Sequence, residues 1–523
     1  MSTSISARSG YRAAFIAALV LTAAAWVRAD GPFQPAWESL AKHEAPEWLL
    51  DAKFGIYAHW GVYSVPAYQT EWYGKRMYDK GEGKGKGGQN SVYRHHVQTY
   101  GDPSKFGYKD FVPMFKAEKY DPEEWAKLIE SCGAKYAGFA VVHHDGFLLW
   151  DSKINRWNAG NMGPKRDLYG DFVSALRKHG LKTIATEHHL RTFNWYLPGS
   201  DGFGVLKDLD KTAKIVKDAG YDLADPKFAD LYWNEVAGRR YPDFMAEWQA
   251  EVREVIDKYQ PDLLWFDGGD FRGKDSEKVV LDLLAHYQNS GRAWGKPVEV
   301  LNKLAGNGQW NFPENYAVLT FEEGRDRPAK FDRPWIDDMR IGDKAWCYVE
   351  GQQYKPAGEI IAGLVDRVAR GGGLLLNLSP KADGTFPDAE KAVLQEIGQW
   401  LKVNREAIYG TRPWTVQSEG NEKKLIEANG RKWTFRRCDA SDIRFTRPKD
   451  DSCVYVFCLG VPKQDVRVLS LGRNAGHARK PIANVSLLGS GAKVQWTQEA
   501  DALVIKPPAS VPTPQAVTFK ITF

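Results

Sequence analysis

One short stretch ends an apolar run on a single carboxylate. Residues 261–271 read PDLLWFDGGDF, in which Leu263 to Phe266 are apolar and Asp267 is followed by two glycines. Aspartate and glycine are ordinary turn residues, so a strand that simply ends in a turn explains this pattern when it is taken alone. In a barrel of parallel strands, however, the last side chain of a strand reaches the face where active sites are built. Asp267 is therefore a candidate catalytic residue if other strands end in the same way.

Other predicted strands do end on ionisable groups. These ends are His59-Trp60 (followed by Glu71-Trp72), His143-His144-Asp145, Glu187-His188-His189, Asp267 and Glu322-Glu323. Turn chemistry explains one such end, but five of them converge on one mouth if the strands form a parallel barrel. Convergence favours the catalytic interpretation of Asp267.

Two facing carboxylates are suited to hydrolysis of a glycosidic bond. One attacks the anomeric carbon, and the other protonates the leaving oxygen. Histidines can donate hydrogen bonds to sugar hydroxyls, and the chain also has 20 tryptophans, whose flat faces can cover a sugar ring.

A metal centre is the alternative explanation for so many histidines. Adjacent residues of a strand point to opposite faces, which argues against a shared ion on His143 and His144. The chain has no H-x-H at a strand end and no H-E-x-x-H. The sequence therefore predicts neither a metal nor another cofactor.

The elements that must position these residues alternate between apolar runs and helical periods. Predicted strands are 55–60, 136–143, 182–188, 262–267, 298–302, 316–322, 345–349 and 373–379, and 242–259 and 387–404 have apolar residues at helical spacing. Eight strands with intervening helices indicate an α/β fold, a (β/α)8-type barrel over residues 30–408. After residue 408 the runs become short and alternating, which predicts a β-sandwich over residues 409–523.

Two segments outside the predicted strands have recognisable compositions. Arg8 and Arg12 precede the apolar residues 13–27 and a small-residue cleavage site, so residues 1–29 are predicted to be a secretory signal peptide, with a short membrane anchor as the alternative. This predicts a secreted or periplasmic protein with no stable membrane span. Residues 80–89 (KGEGKGKGGQ) are predicted to be a mobile loop.

Charge and cysteine content exclude some classes of protein. The formal charge of +5 falls to +2 without residues 1–29, which hold three arginines and no acid, so a nucleic-acid partner has no electrostatic support. The five cysteines are too scattered for a disulfide framework or a zinc site, and Cys453 and Cys458 are predicted to be core residues. Oligomeric state is left open.

Several blocks of the sequence resemble the α-L-fucosidases of glycoside hydrolase family 29. They are KFGIYAHWGVYSVPAY at 53–68, VVHHDGFLLWDSK at 141–153, GPKRDLYGDF at 163–172, LLWFDGG at 263–269, GGGLLLNLSPKADG at 371–384 and WLKVNREAIYGTRPW at 400–414. DIRFT at 442–446 and VSLLGS at 485–490 resemble the C-terminal domain of that family. The resemblance covers most of the chain.

The resemblance implies roles for individual residues. Asp267 matches the nucleophile, and Trp265 matches an aromatic residue on the same strand. The positions that match the lining of the sugar pocket are His59, Glu71, Trp72, His143 and His144. For the acid/base, Glu322 fits better than Glu323, which should point away from the pocket if the strand continues.

Two departures from the family pattern affect the expected sugar specificity. Thr186-Glu187 stands where the family often has tyrosine, and Asn302-Lys303-Leu304 stands where it often has arginine. The resulting prediction is a retaining exo-glycosidase that removes terminal α-L-fucose from an oligosaccharide or polysaccharide. The alternatives are hydrolysis of α-L-galactosides or sulfated fucosides, and a non-catalytic sugar-binding protein.

Overall fold

A computed structural model describes residues 32–81, 91–268, 274–304, 311–325, 327, 333–426, 432–478 and 480–523. The predicted signal peptide and nearly all of the predicted loop at 80–89 lie outside these residues, so both stay predictions. In the part of the chain that the structure describes, no helix is long and apolar enough to cross a bilayer.

Eight parallel strands form a closed barrel in chain order, which confirms the predicted fold class. They are β1 (Phe54–Ala58), β2 (Tyr136–Val142), β3 (Lys182–Glu187), β4 (Leu263–Phe266), β5 (Glu299–Lys303), β6 (Val318–Glu322), β7 (Trp335–Arg340) and β8 (Gly372–Leu378). Strand β8 pairs in parallel with β1 and closes the barrel.

The helices lie mainly in the connections between these strands. They are α1 (Trp37–Leu40), α2 (Glu47–Ala52), α3 (Tyr73–Arg76), α4 (Ser91–Thr99), α5 (Pro122–Ser131), α6 (Leu168–Lys178), α7 (Leu209–Asp218), α8 (Ala229–Tyr232), α9 (Tyr241–Tyr259), α10 (Lys274–Ala293), α11 (Ala357–Ala369) and α12 (Asp388–Ile408). Local chemistry starts some of them: the Asp121 carboxylate accepts from two backbone amides at the start of α5, where Pro122 occupies the first turn. The described residues contain no α-helix between β5 and β7.

The predicted seventh strand, 345–349, is wrong. Strand β7 is Trp335–Arg340, with the sequence WIDDMR, and its two acids make it look unlike a buried strand. Both acids are paired: Asp337 contacts Arg367 of α11 at 2.7 Å, and Asp338 contacts Lys303 at 3.1 Å. The segment 345–349 instead follows β7 as a loop and contributes Trp346 to the mouth of the barrel.

The C-terminal region forms two antiparallel sheets, in agreement with the predicted sandwich architecture. The larger sheet has the order β13–β16–β11–β10–β9, and the smaller has the order β12–β15–β14. Their bounds are β9 (Arg412–Glu419), β10 (Ile443–Arg447), β11 (Cys453–Cys458), β12 (Val466–Val468), β13 (Asn484–Leu487), β14 (Trp496–Gln498), β15 (Leu503–Ile505) and β16 (Val517–Thr522). Cys453 and Cys458 are buried, as predicted.

Candidate active site

Strand alternation explains how an apolar barrel interior ends in charged groups. Tyr57, Leu263, Trp265, Leu301, Val318, Ile336 and Leu375 belong to one apolar cluster inside the barrel. Side chains two residues apart share a face, so the next inward positions are the strand-end residues. These are His59, Asp267, Lys303, Thr320, Asp338 and Asn377, and Glu322 follows Thr320 at the end of β6.

Lys303 joins the acidic groups at this mouth. Its Nζ lies 3.3 Å from Asp267 Oδ1, 3.3 Å from Glu322 Oε2 and 3.1 Å from Asp338 Oδ1. The lysine side chain is only 4% exposed. Because one ammonium contacts both Asp267 and Glu322, those two carboxylate oxygens lie no further apart than twice 3.3 Å.

The surroundings of Asp267 favour its ionised form. Burial alone would raise the pKa of this carboxyl, but the Lys303 charge, the contact with His188 and the Arg191 charge outweigh burial and hold the pKa well below its usual range. Gly268 follows with a φ of +70°, and a Cβ there would collide with the Arg191 guanidinium. The Asp-Gly step is therefore both a strand end and the place where Arg191 approaches the carboxylate.

The pKa of Asp338 is shifted in the opposite direction. Burial raises its pKa well above the usual value, and the nearby Glu322 and Asp267 add to this, whereas Lys303 acts against it. The Tyr57 hydroxyl lies 3.0 Å from Asp338 Oδ2. Tyr57 Oη and Lys303 Nζ each donate a hydrogen bond to Asp338.

The structure separates Glu322 from Glu323. Glu322 ends β6 beside Lys303, and its side chain is 32% exposed. Glu323 has a φ of +50°, which ends the extended strand. Its carboxylate turns to a cation cluster, 3.1 Å from Arg340, 3.6 Å from Lys355 and 2.8 Å from Lys432.

Only Glu322 therefore lies beside Asp267 and its lysine. Burial would raise the pKa of Glu323, but the Lys355, Arg340 and Lys432 charges lower it to about 2. A carboxyl that loses its proton so readily is a poor proton donor near neutral pH.

Four histidines lie together on the other side of the mouth. His59 is 5.4 Å from His143 between ring centroids and 4.9 Å from His188, and His143 is 4.3 Å from His144. Burial lowers the pKa of His59 to about 3 and that of His143 and His144 well below the usual value, so these rings are neutral.

Hydrogen bonds orient two of these rings. Asn377 Nδ2 donates to the Trp346 carbonyl at 2.6 Å, so its Oδ1 accepts from His59 Nδ1 at 2.7 Å. The His188 carbonyl accepts from His144 Nδ1. His59 and His144 therefore each present Nε2 without a proton, as an acceptor or a ligand.

Glu71, Trp72 and Trp346 border the same space. Glu71 is buried, which raises its pKa, and its carboxylate accepts from the Trp346 backbone amide at 3.2 Å. The Trp72 ring packs edge-on against His144 at 5.4 Å, and the Trp346 ring lies 5.6 Å from His59. The structure thus brings the five predicted sugar-contact residues His59, Glu71, Trp72, His143 and His144 to one mouth.

Trp265 lies one layer deeper. Its side chain is fully buried, its Nε1 donates to Thr320 Oγ1 at 3.2 Å, and Lys303 Nζ sits 4.9 Å from its ring. It forms the floor under the charged groups, where it packs against Tyr57 at 5.3 Å.

Sequence reasoning missed His188, Lys303, Asp338 and Trp346 as parts of this site. In the sequence, Lys303 appeared only in a departure from the family pattern. His188 appeared only as one residue of a predicted strand end. Ile184 faces the barrel interior, so alternation places His188 in the mouth and turns Glu187 outward, where burial and the Glu251 charge raise its pKa.

The prediction that strand alternation keeps His143 and His144 from sharing a metal ion needs correction. Strand β2 ends at Val142, so alternation no longer applies to His143 and His144. More importantly, ligand nitrogens of His59, His143 and His188, from three successive strands, lie within 4.8 Å of one another. A ligand set is therefore present although no sequence motif marks it.

A cavity of about 680 Å³ lies between α11 and the C-terminal domain. Lys355, Glu359, Phe435 and Arg436 are among its lining residues. None of the strand-end groups described above lines it, so the chemistry is assigned to the barrel mouth.

A scan against family models matches residues 20–406 to the α-L-fucosidase family and residues 439–522 to the α-L-fucosidase C-terminal domain. Tissue α-L-fucosidase of Rattus norvegicus is 30% identical over 521 residues, 96% of each chain, and that of Homo sapiens is 29% identical over 519 residues, 96% of this chain and 95% of the relative. Crystal structures of Thermotoga maritima α-fucosidase with fucose and with a mechanism-based inhibitor have TM-scores of 0.70 and 0.71 at 27% identity. Both cover 94% of this chain and 100% of the other.

The fold and the paired carboxylates define a barrel glycoside hydrolase. The matches to both domain models and to relatives along nearly the whole chain show which one: the chain belongs to the α-L-fucosidase family.

Proposed function

We propose that the chain hydrolyses terminal α-L-fucosides with retention of configuration, with Asp267 as nucleophile and Glu322 as acid/base. The contact of Lys303 with both carboxylates supports this most directly. Retaining enzymes keep their two carboxyl groups about 5–5.5 Å apart, and inverting enzymes about 6.5–9.5 Å apart. The two oxygens that face Lys303, Asp267 Oδ1 and Glu322 Oε2, lie at most twice 3.3 Å apart, which is compatible with the retaining spacing.

In the first step, Asp267 attacks the anomeric carbon as a carboxylate while Glu322 gives its proton to the leaving oxygen. The depressed pKa of Asp267 keeps the nucleophile ionised in acidic solution. In the second step, Glu322 as a carboxylate takes a proton from water, which displaces Asp267 from the sugar and regenerates the free enzyme.

Lys303 has two roles in this proposal. It stabilises the Asp267 carboxylate before attack, and it stays beside Glu322 when that group becomes negative after proton donation.

The sugar is held by groups that surround these carboxyls. His59 Nε2 and His144 Nε2 can accept from sugar hydroxyls, and Glu71 can bond a hydroxyl with the oxygen that does not face Trp346. The Trp72 and Trp346 rings offer flat apolar surface at the rim. The complexes of the Thermotoga relative with fucose and with a mechanism-based inhibitor support a fucose pocket in this fold.

Substrate and mechanism are tested together. The enzyme should release 4-nitrophenol from 4-nitrophenyl α-L-fucoside with a higher kcat/KM than from the α-L-galactoside, and should release α-fucose first as seen by NMR. β-Fucose as the first product would contradict retention, and preference for the galactoside or a sulfated fucoside would redirect the substrate. Absence of turnover, together with fucose binding, would indicate a sugar-binding protein.

We also propose that residues 1–29 direct export and are removed. The support is sequence alone: three arginines around an apolar stretch and a small-residue cleavage site. Mass spectrometry of the mature N-terminus from the host's periplasm or medium tests this, and recovery of an uncleaved cytoplasmic chain would contradict it.

A further inference from the structure

Three imidazoles at the barrel mouth have the arrangement of a metal site. His59 follows β1, His143 follows β2 and His188 follows β3, and their ligand nitrogens lie within 4.8 Å of one another. Each of the three residues is at most 3% exposed. His143 Nδ1 and both ring nitrogens of His188 are buried without a hydrogen-bond partner. Buried polar atoms without partners are uncommon in proteins and call for an explanation.

The ring positions match tetrahedral coordination. Around a zinc ion with Zn–N bonds of about 2.0–2.1 Å, tetrahedral angles put neighbouring imidazole centroids about 5.2 Å apart. The observed centroid distances are 5.4, 4.9 and 5.2 Å for the three pairs. Only small rotations about the side-chain bonds would then bring the nitrogens together.

The surrounding residues also fit. Ligating histidines usually donate their other N–H to a carbonyl or a carboxylate, which orients the ring. His59 Nδ1 donates to Asn377 Oδ1 at 2.7 Å, and His188 Nδ1 lies 3.1 Å from Asp267 Oδ2. In both rings, Nε2 is the nitrogen left for a metal.

We infer that His59, His143 and His188 bind one borderline divalent cation of the Zn²⁺ or Co²⁺ type, and that the bound ion blocks the sugar pocket. Neutral nitrogen donors suit these ions rather than Mg²⁺ or Ca²⁺, which require oxygen ligands. The ion occupies His59 and His143, two of the predicted sugar contacts, beside the carboxylate of Asp267. It is therefore a competitive inhibitor and takes no part in hydrolysis. The inhibition rests on the proposed function, whereas the binding does not.

The binding is tested with Co²⁺ as a spectroscopic probe and Zn²⁺ as a competitor. The wild-type enzyme should bind one Co²⁺ with the intense visible absorption of four-coordinate cobalt, and Zn²⁺ should remove that absorption. His188→Gln should weaken Zn²⁺ binding at least tenfold. His286→Gln on α10, where the ring contacts only Asp257 at 2.7 Å among the contacts described, is the matched control and should bind like wild type.

A measurement on the wild-type enzyme covers the case in which His188→Gln does not fold. Electron paramagnetic resonance of the Cu²⁺-loaded protein should show coupling to three imidazole nitrogens. Weak octahedral cobalt spectra, fewer than three nitrogens, or equal Zn²⁺ affinity in wild type and His188→Gln would each overturn the site.

Kinetics then separates this inference from the proposed function. Zn²⁺ should raise KM for 4-nitrophenyl α-L-fucoside without changing kcat, and fucose should displace Co²⁺. A chain that binds Zn²⁺ but cleaves no fucoside would contradict only the proposed function. A chain that cleaves fucosides and shows no Zn²⁺ binding would contradict only the metal site.

Discussion

Replacement of Lys303 by methionine should shift the pH dependence of catalysis. Methionine keeps the length of the side chain and removes the charge that contacts Asp267 at 3.3 Å. At that distance two unit charges attract each other by about 5 kcal/mol at an effective dielectric constant of about 20. The Asp267 side chain is 19% exposed, so solvent screening reduces this to about 3 kcal/mol.

The sign follows from the ionised state that attack requires. Lys303 lowers the pKa of Asp267, so its loss raises that pKa and protonates the nucleophile at a higher pH. The acidic limb of the kcat/KM profile should move to higher pH. On that limb, activity should fall about a hundredfold, which corresponds to about 3 kcal/mol. At pH values where Asp267 is still ionised, the loss should be smaller.

The assay is the pH profile of kcat/KM with 4-nitrophenyl α-L-fucoside, and two variants serve as controls. Lys303→Arg keeps the charge and should restore most of the acidic limb. Lys296→Met removes a lysine that contacts Asp262 at 3.4 Å. Asp262 immediately precedes β4, at the end away from Asp267, so this replacement should leave the profile unchanged. An unmoved acidic limb in Lys303→Met, or an equal loss at every pH, would refute the electrostatic role.

Four further predictions concern the carboxylates and metals. Asp267→Ala should abolish turnover without loss of folding, and azide should partly restore it, whereas near-normal activity would exclude Asp267 as nucleophile. Glu322→Gln should slow hydrolysis of natural fucosides by about 10²–10⁴-fold and spare the first step on aryl fucosides with good leaving groups. Glu323→Gln should not show this difference between substrates. It should lose about 3 kcal/mol of stability, since folding lowers the pKa of Glu323 from 4.5 to about 2. That contribution to stability is present above pH 4.5 and lost as the pH falls through 2, so urea unfolding near neutral pH measures it. If Glu323→Gln shows the difference between substrates and Glu322→Gln does not, Glu323 is the acid. A chelator should not lower activity, and a loss restored by Zn²⁺ would contradict a metal-independent mechanism.

The local pattern of the sequence was sufficient to predict the barrel, apart from its seventh strand, and the position of its mouth. Apolar runs such as Leu263–Phe266 form strands because they can bury both faces, and a polar residue two positions after an inward-facing apolar residue must emerge at the strand end. Asp267 follows Trp265 in this way. The same local signals predicted a helix at 242–259, which the structure has at Tyr241–Tyr259, and the short strands after residue 408.

Only the tertiary structure decided how charges at distant positions are paired. WIDDMR forms β7 because Arg367 and Lys303 neutralise its two acids, and neither partner is local in sequence. The same holds for Glu323, which turns from the mouth because its strand ends there and Lys432, from beyond the barrel, joins Arg340 and Lys355 around it. A ligand set of His59, His143 and His188 likewise exists only once three strands lie side by side. Sequence determines which face of a strand a residue occupies, since alternation is local, whereas the partner across the barrel depends on closure of all eight strands.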